Sequence, residues 1–331
     1  MTHSTCRFYG LSLSLLITAV SALTARGDVL HGIGIVGDGS NAPAANGAPP
    51  VIMHTLRGLN FGPSYAYDYG YFGASSSSII QPGDAVAQLA AQAQAGNVSL
   101  ALISIGENDM FGAVASVADG SLAGAALAAQ QAFLVNNIET AVNTLLATGV
   151  KVVLGGVSDV ADSPNFAAIM ADPAAKARVE NAIATIESQL SAFAQSNHIG
   201  FVDFFGLEKA VYDSGDFVVG GVHIDLHTTG PDPHNFFQDN FNAGVVIRGE
   251  IANLWMQGAN MAYGAGIPLL TDQEILNYAG ITTGYVGETF QAANPLASFV
   301  TSVPEPSSAA LLGVGLCGLL ISAITGHRRI R

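Results

Sequence analysis

Four short apolar runs separated by helix-like stretches constrain this chain more than any other feature. They are Ile33 to Val36, Ser99 to Ile105, Lys151 to Gly155 and Ile199 to Asp203, each bounded by Gly, Asn or Asp. A strand with one face in water alternates polar and apolar residues, whereas a strand covered on both faces reads as a continuous apolar run. Between the runs, Val179, Ile183, Ile186, Leu190 and Phe193 recur at spacings of four and three, which predicts one apolar helix face over 176–197. The Ala-rich stretch Leu122 to Leu146, ended by Gly149, has the same character. After Phe241 a helix is expected to about Trp255, and Thr271-Asp272-Gln273-Glu274 forms a capping box for another. Strands alternating with helices imply an α/β domain, three layers thick, with a parallel central sheet. Residues 28–300 are expected to form that single domain. Ligands in such sheets bind beyond the carboxyl ends of the strands. Two polar corners sit there: Gly37-Asp38-Gly39-Ser40 and Gly106-Glu107-Asn108-Asp109.

The two ends have a different composition. Residues 1–27 carry Arg7, an apolar run from Leu11 to Ala22 and then small residues, the order of a secretory signal peptide. Residues 301–331 contain Val303-Pro304-Glu305-Pro306, an apolar stretch of about 16 residues from Ala309 to Ile324, and a closing cluster with Arg328, Arg329 and Arg331. That stretch is slightly short of the roughly 20 residues of a full membrane span, and the basic cluster favours a cytoplasmic end. The three-part order resembles the PEP-CTERM sorting tail of Gram-negative-type bacteria. The resemblance implies membrane association through the tail before processing, an exosortase-like processing enzyme as partner, and delivery to the cell surface, outer membrane or extracellular matrix.

Charge and cysteine exclude several function classes. The chain has 11 Lys and Arg against 25 Asp and Glu, a formal net charge of −14. Five of those cations lie in the terminal segments, so the domain repels phosphate backbones and nucleic-acid binding is not expected. Its two cysteines, Cys6 and Cys317, also lie at the ends, which excludes thiol catalysis and thiolate metal sites in the domain.

The segments "IVGDGSN", "DYGYFGAS", "ISIGENDMF" and "FFQDNFNAGVVIRGEIAN" follow one another in that order. They resemble the four conserved blocks of the SGNH, or GDSL, hydrolase superfamily, over most of residues 30–256. The segment "KVVLGGVSDVADSP" is similar to the strand and loop carried between the third and last blocks. The resemblance implies an SGNH-hydrolase or flavodoxin-like fold and hydrolysis of carboxyl esters, on carbohydrate or lipid, without cofactor or metal. In that chemistry a serine attacks the carbonyl, a histidine takes its proton, and an aspartate orients the ring. Transferred by motif, Asp239 is the aspartate, while Gly73 and Asn108 are oxyanion donors. Asp38, Gly106 and Asp109 support the loops.

Two positions depart from the pattern. Gly39 stands where the nucleophilic serine belongs, and Asn242 stands where the histidine belongs. An amide cannot act as a general base near neutral pH. Loss of both reactive groups implies a catalytically degenerate, ligand-binding protein. The alternatives are an active esterase using Ser40, shifted by roughly 3.5 Å along the chain, with His234 beside Asp232 as base, or a non-catalytic polysaccharide-binding matrix protein. In "VHIDLH", His223, Asp225 and His227 share one strand face and could hold a metal. A solvated edge hairpin is the commoner use of such a pattern. Tyr65, Tyr67, Tyr69, Tyr71 and Phe72 could wall a sugar-binding groove or pack around the second strand. Arg248 is expected at the surface or in an ion pair.

Overall fold

A computed structural model describes residues 30–42, 47–282 and 295–301. The signal-peptide segment and the tail beyond Thr301 lie outside the described residues. In chain order, β1 is Ile33–Gly37 and α1 is Pro49–Arg57. Then come α2 (Ala85–Gln94), β2 (Leu100–Ser104), α3 (Glu107–Ala118), α4 (Gly124–Leu146) and β3 (Lys151–Gly155). Next are α5 (Ala167–Met170), α6 (Pro173–Ser196), β4 (Gly200–Val202) and α7 (Phe204–Ser214). A small second sheet contains β5 (Phe217–Val219), β6 (Val222–Thr229) and β7 (Asn235–Phe237). Finally come α8 (Val245–Tyr263), α9 (Asp272–Tyr278) and β8 (Val300–Thr301).

The main sheet has the order β1-β2-β3-β4-β8, with β1 to β4 parallel and β8 antiparallel on β4. On the free side of β1 runs a further extended stretch, reduced to a parallel bridge between Ile35 and Asp68. There Ile35 N–H donates to the Tyr67 carbonyl (3.0 Å) and Tyr69 N–H to the Ile35 carbonyl (2.9 Å). The second extended stretch in sequence therefore lies on one side of β1 and the third, β2, on the other. This reversal is a topological switch point, and a crevice opens above the carboxyl ends of β1 and β2.

Alternate residues of the strands feed two cores, as a sheet covered on both faces requires. Ala101, Ile103, Val152 and Leu154 pack on one face with α2, α3, α4 and α6. Leu100, Leu102 and Val153 pack on the other, with α1, α7, α8 and the small sheet. Helix α8 runs eight residues beyond its expected end at Trp255. Gly258 does not break it, because its bare face lies on the sheet: a Cβ there would stand 2.9 Å from Val153 Cγ1. The helix stops at Gly264, which adopts the left-handed conformation (φ 61°).

Candidate functional site

The β1 corner delivers Asp38, Gly39 and Ser40 to the crevice. Asp38 is only 3% exposed. Its Oδ1 accepts hydrogen bonds from the Ser40 N–H (3.0 Å) and the Ser40 hydroxyl (2.6 Å). Ser40 Oγ in turn accepts from Asn41 Nδ2 at 3.2 Å. Gly39 carries no side chain, and the room for one is taken: a Cβ there would lie 2.3 Å from Cδ1 of Phe72.

The β2 corner turns at Gly106, whose φ of 120° is accessible to glycine and costly for other residues. It leads directly into the first turn of α3, which carries Glu107, Asn108 and Asp109. Two of these tie down the neighbouring loop. Asn108 Nδ2 donates to the Ala74 carbonyl at 2.8 Å. Asp109 accepts from the Ser76 N–H and hydroxyl, each at 2.8 Å. The loop so fixed contains Gly73, in the left-handed conformation with φ 78°. Asp109 thus acts on the Ser76 loop rather than on its own backbone.

Asp239 follows β7. Its Oδ1 accepts the N–H groups of Phe241 (2.8 Å) and Asn242 (2.7 Å), and its Oδ2 accepts the Asn242 side-chain amide at 2.9 Å. Burial pushes the Asp239 pKa upward, but the hydrogen bonds from Asn242 and Phe241, together with Arg248, hold it below the usual carboxylate value.

These corners enclose an open cavity of about 340 Å³, with Gly39, Ser40, Gly73, Glu107, Asn108 and Asn242 in its lining. Phe72, Phe111 and Phe241 form its apolar walls. Behind it lies a smaller cavity of about 40 Å³ that shares Ser40, Glu107 and Asn242 and reaches Asp159, Glu208 and Arg248. The structure therefore brings together Asp38, Gly39, Ser40, Gly73, Asn108 and Asn242, with Asp239 holding Asn242 in place. It does not bring in His234. That ring is half exposed, bonds Asp232 Oδ1 at 2.8 Å, and lines neither cavity.

Sequence reasoning passed over two site residues. Arg248, in the first turn of α8, is 1% exposed rather than at the surface, and its charge acts on Asp239, Glu107 and Asp38. Glu107 forms a side-chain hydrogen bond with Asp38. Burial raises the Glu107 pKa well above the usual carboxyl value, with Asp38 and Glu208 adding to the rise and Arg248 opposing it. The available signal was the single cation in the largely apolar run from Val245 to Trp255, shortly after Asp239.

Other polar clusters are accounted for by protein partners. Asp159, Asp162 and Glu180 bring carboxylate oxygens within 4.8 Å of one another. The Lys176 ammonium sits on Asp162 (2.5 Å) and Glu180 (3.5 Å), supplying the cation. His223, Asp225 and His227 do share the exposed face of β6, but His223 bonds Asp216 at 2.9 Å while Asp225 accepts from His227 N–H and Thr228. Of the aromatic run, Tyr67, Tyr69 and Tyr71 pack on one core and Tyr65 on the other. Phe72 is 64% exposed, at the cavity mouth.

No protein-family model and no curated protein sequence matches the chain. Among solved structures it is similar to an acylhydrolase from Bacteroides fragilis, at 17% identity and TM-score 0.41, over 72% of this chain and 93% of that one. It is also similar to a GDSL-like lipase from Bacteroides thetaiotaomicron, at 18% identity and TM-score 0.41, over 76% and 98% of the two chains. An acetyl xylan esterase is similar at 11% identity and TM-score 0.39, over 68% and 98%.

Proposed function

We propose that this chain is a binding protein built on an SGNH-type hydrolase framework, which receives an ester-bearing carbohydrate or lipid and has lost histidine-assisted hydrolysis. One observation carries the reading. Asp239 grips the side-chain amide of Asn242 at 2.9 Å, in the place where it would orient an imidazole. The framework for a base is kept and the base is absent. Gly39 offers no nucleophile beside it, while Asn108 and Gly73, which the resemblance implies as donors to a carbonyl oxygen, line the cavity. Removing the nucleophile or the base from such a unit costs on the order of 10⁶ in rate.

The test is restoration. Gly39→Ser and Asn242→His are combined with Phe72→Ala, which clears the space that Phe72 occupies beside Gly39. The triple variant is expected to hydrolyse p-nitrophenyl acetate about 10²-fold faster than the unaltered chain, the lower end of what a placed general base supplies. A folded triple variant with no gain would sink the reading. Export and surface sorting belong to the same proposal, on the strength of the terminal segments. Replacing Pro304-Glu305-Pro306 by alanines should leave the protein unprocessed in the membrane fraction of an exosortase-bearing host.

A further inference from the structure

The cavity contains a serine whose hydroxyl donates to a carboxylate rather than to a histidine. Ser40 Oγ lies 2.6 Å from Asp38 Oδ1, within the reach needed for proton transfer. Asp38 is hydrogen-bonded in turn by the Glu107 side chain. A hydroxyl, a carboxylate and a second carboxyl thus stand in sequence, an order that suits activation of the hydroxyl. Ser40 and Glu107 line both cavities, and Asn108 lines the open one with them.

We propose that Ser40, Asp38 and Glu107 form an acyl-accepting relay: Ser40 takes the acyl group of an ester seated in the open cavity, Asp38 takes the hydroxyl proton, and Glu107 positions Asp38. The inference rests on the proposed ester-binding role of the cavity. In the step, a bond forms from Ser40 Oγ to the carbonyl carbon and the ester C–O bond breaks. The proton passes from Ser40 to Asp38 and then to the departing oxygen, which leaves as an alcohol or phenol. The product is an ester on Ser40. Water returns it to serine and free acid only slowly, because a carboxylate is a weaker base than imidazole. The acylated protein accumulates.

The charges support this division of roles. Asp38 from the β1 corner, Glu208 from α7 and Arg248 from α8 face Glu107. Burial first, and then the two acids, raise the Glu107 pKa, while Arg248 opposes them. Arg248 is itself buried, so its charge acts on this corner with little screening.

The test uses the full chain with p-nitrophenyl acetate, read by nitrophenolate release, intact mass and peptide mapping. The expected result is a stoichiometric burst and one acetyl group on the peptide bearing Ser40. The label is absent in Ser40→Ala, slowed about 10²-fold in Asp38→Asn and unchanged in His234→Gln. No acetylation, acetylation elsewhere, or loss in His234→Gln overturns the proposal. Should Asp38→Asn not fold, the pH profile decides. The acylation rate of the unaltered chain bends where Glu107 gives up its proton, and Glu107→Gln slows acylation and removes the bend. Profiles of one shape overturn the role given to Glu107. Saturation-transfer NMR with p-nitroacetanilide, an amide that resists transfer, separates the two readings. Contact that is lost in Asn108→Ala, without acetylation by the ester, sinks the relay and leaves the binding role standing. No contact with the amide sinks the binding role itself.

Discussion

At the residue scale, the site is held by side chains that serve the loops more than the cavity. Asp109 shows this most directly. It takes both the N–H and the hydroxyl of fully buried Ser76, and Asn137 Nδ2 adds a bond to the same hydroxyl at 3.1 Å. Asp109→Ala leaves those donors without their acceptor and is expected to cost about 1–3 kcal/mol in urea denaturation. It should also weaken ligand binding, because Gly73 lies on the loop it secures. Asn108 and Asp239 could be singled out in the sequence because their blocks are short and ordered. Glu107 and Arg248 were not legible in the same way. One is the variable position of its block, and the other lies on a helix buried all round, where no polar face marks the cation.

At the scale of elements, the strands were the clearest features. Runs buried on both faces became β1 to β4 with shifts of only a residue or two. The capping box at Thr271 also forms as expected, with Thr271 N–H donating to Glu274 Oε2 at 2.8 Å and Glu274 N–H to Thr271 Oγ1 at 3.3 Å. Its tertiary partner was hidden. Arg57, at the end of α1, donates to the carbonyls of Pro268 and Leu269 (2.8 Å each) as well as to both oxygens of Glu274. Glu274 is partly in water, so the charge pair by itself contributes little. The carbonyls are what lose a charged donor in Arg57→Ala. That change should lower stability by about 1–3 kcal/mol and speed amide exchange selectively in residues 267–278. β8 was illegible for another reason: two residues of edge strand carry no periodicity, and only packing on β4 defines them.

At the scale of the whole molecule, buried acids set the response to pH. Desolvation by burial is the leading cause that raises Asp159 to about 8, Glu208 to about 7 and Asp68 to about 7. Glu187 is also raised well above its usual value, again chiefly by burial. In the unfolded chain these groups ionise near pH 4, so between that value and about 7–8 the folded state holds more protons. Their neutral forms are accommodated in full below about pH 4, and stability then falls as pH rises toward 8. Glu274 acts in the opposite direction, since hydrogen bonds from Arg57 lower it to about 2, and it costs stability only as pH drops below about 4.5. Thermal melting should therefore occur at progressively lower temperature from about pH 5 to about pH 8. Glu208→Gln should flatten that decline, and a melting temperature that instead rises over this range would contradict it.

The ring of Phe72 over Gly39 means that any side chain at position 39 has to displace it. A serine arriving alone at position 39 meets the ring before it meets a substrate, and it finds Asn242 where it needs an imidazole. Under the proposed reading, neither change alone would build a histidine-assisted site, and the one at position 39 also requires the Phe72 ring to move. On the proposed binding role, an aromatic plug of this kind favours use of the cavity for holding a ligand over any chemistry at position 39.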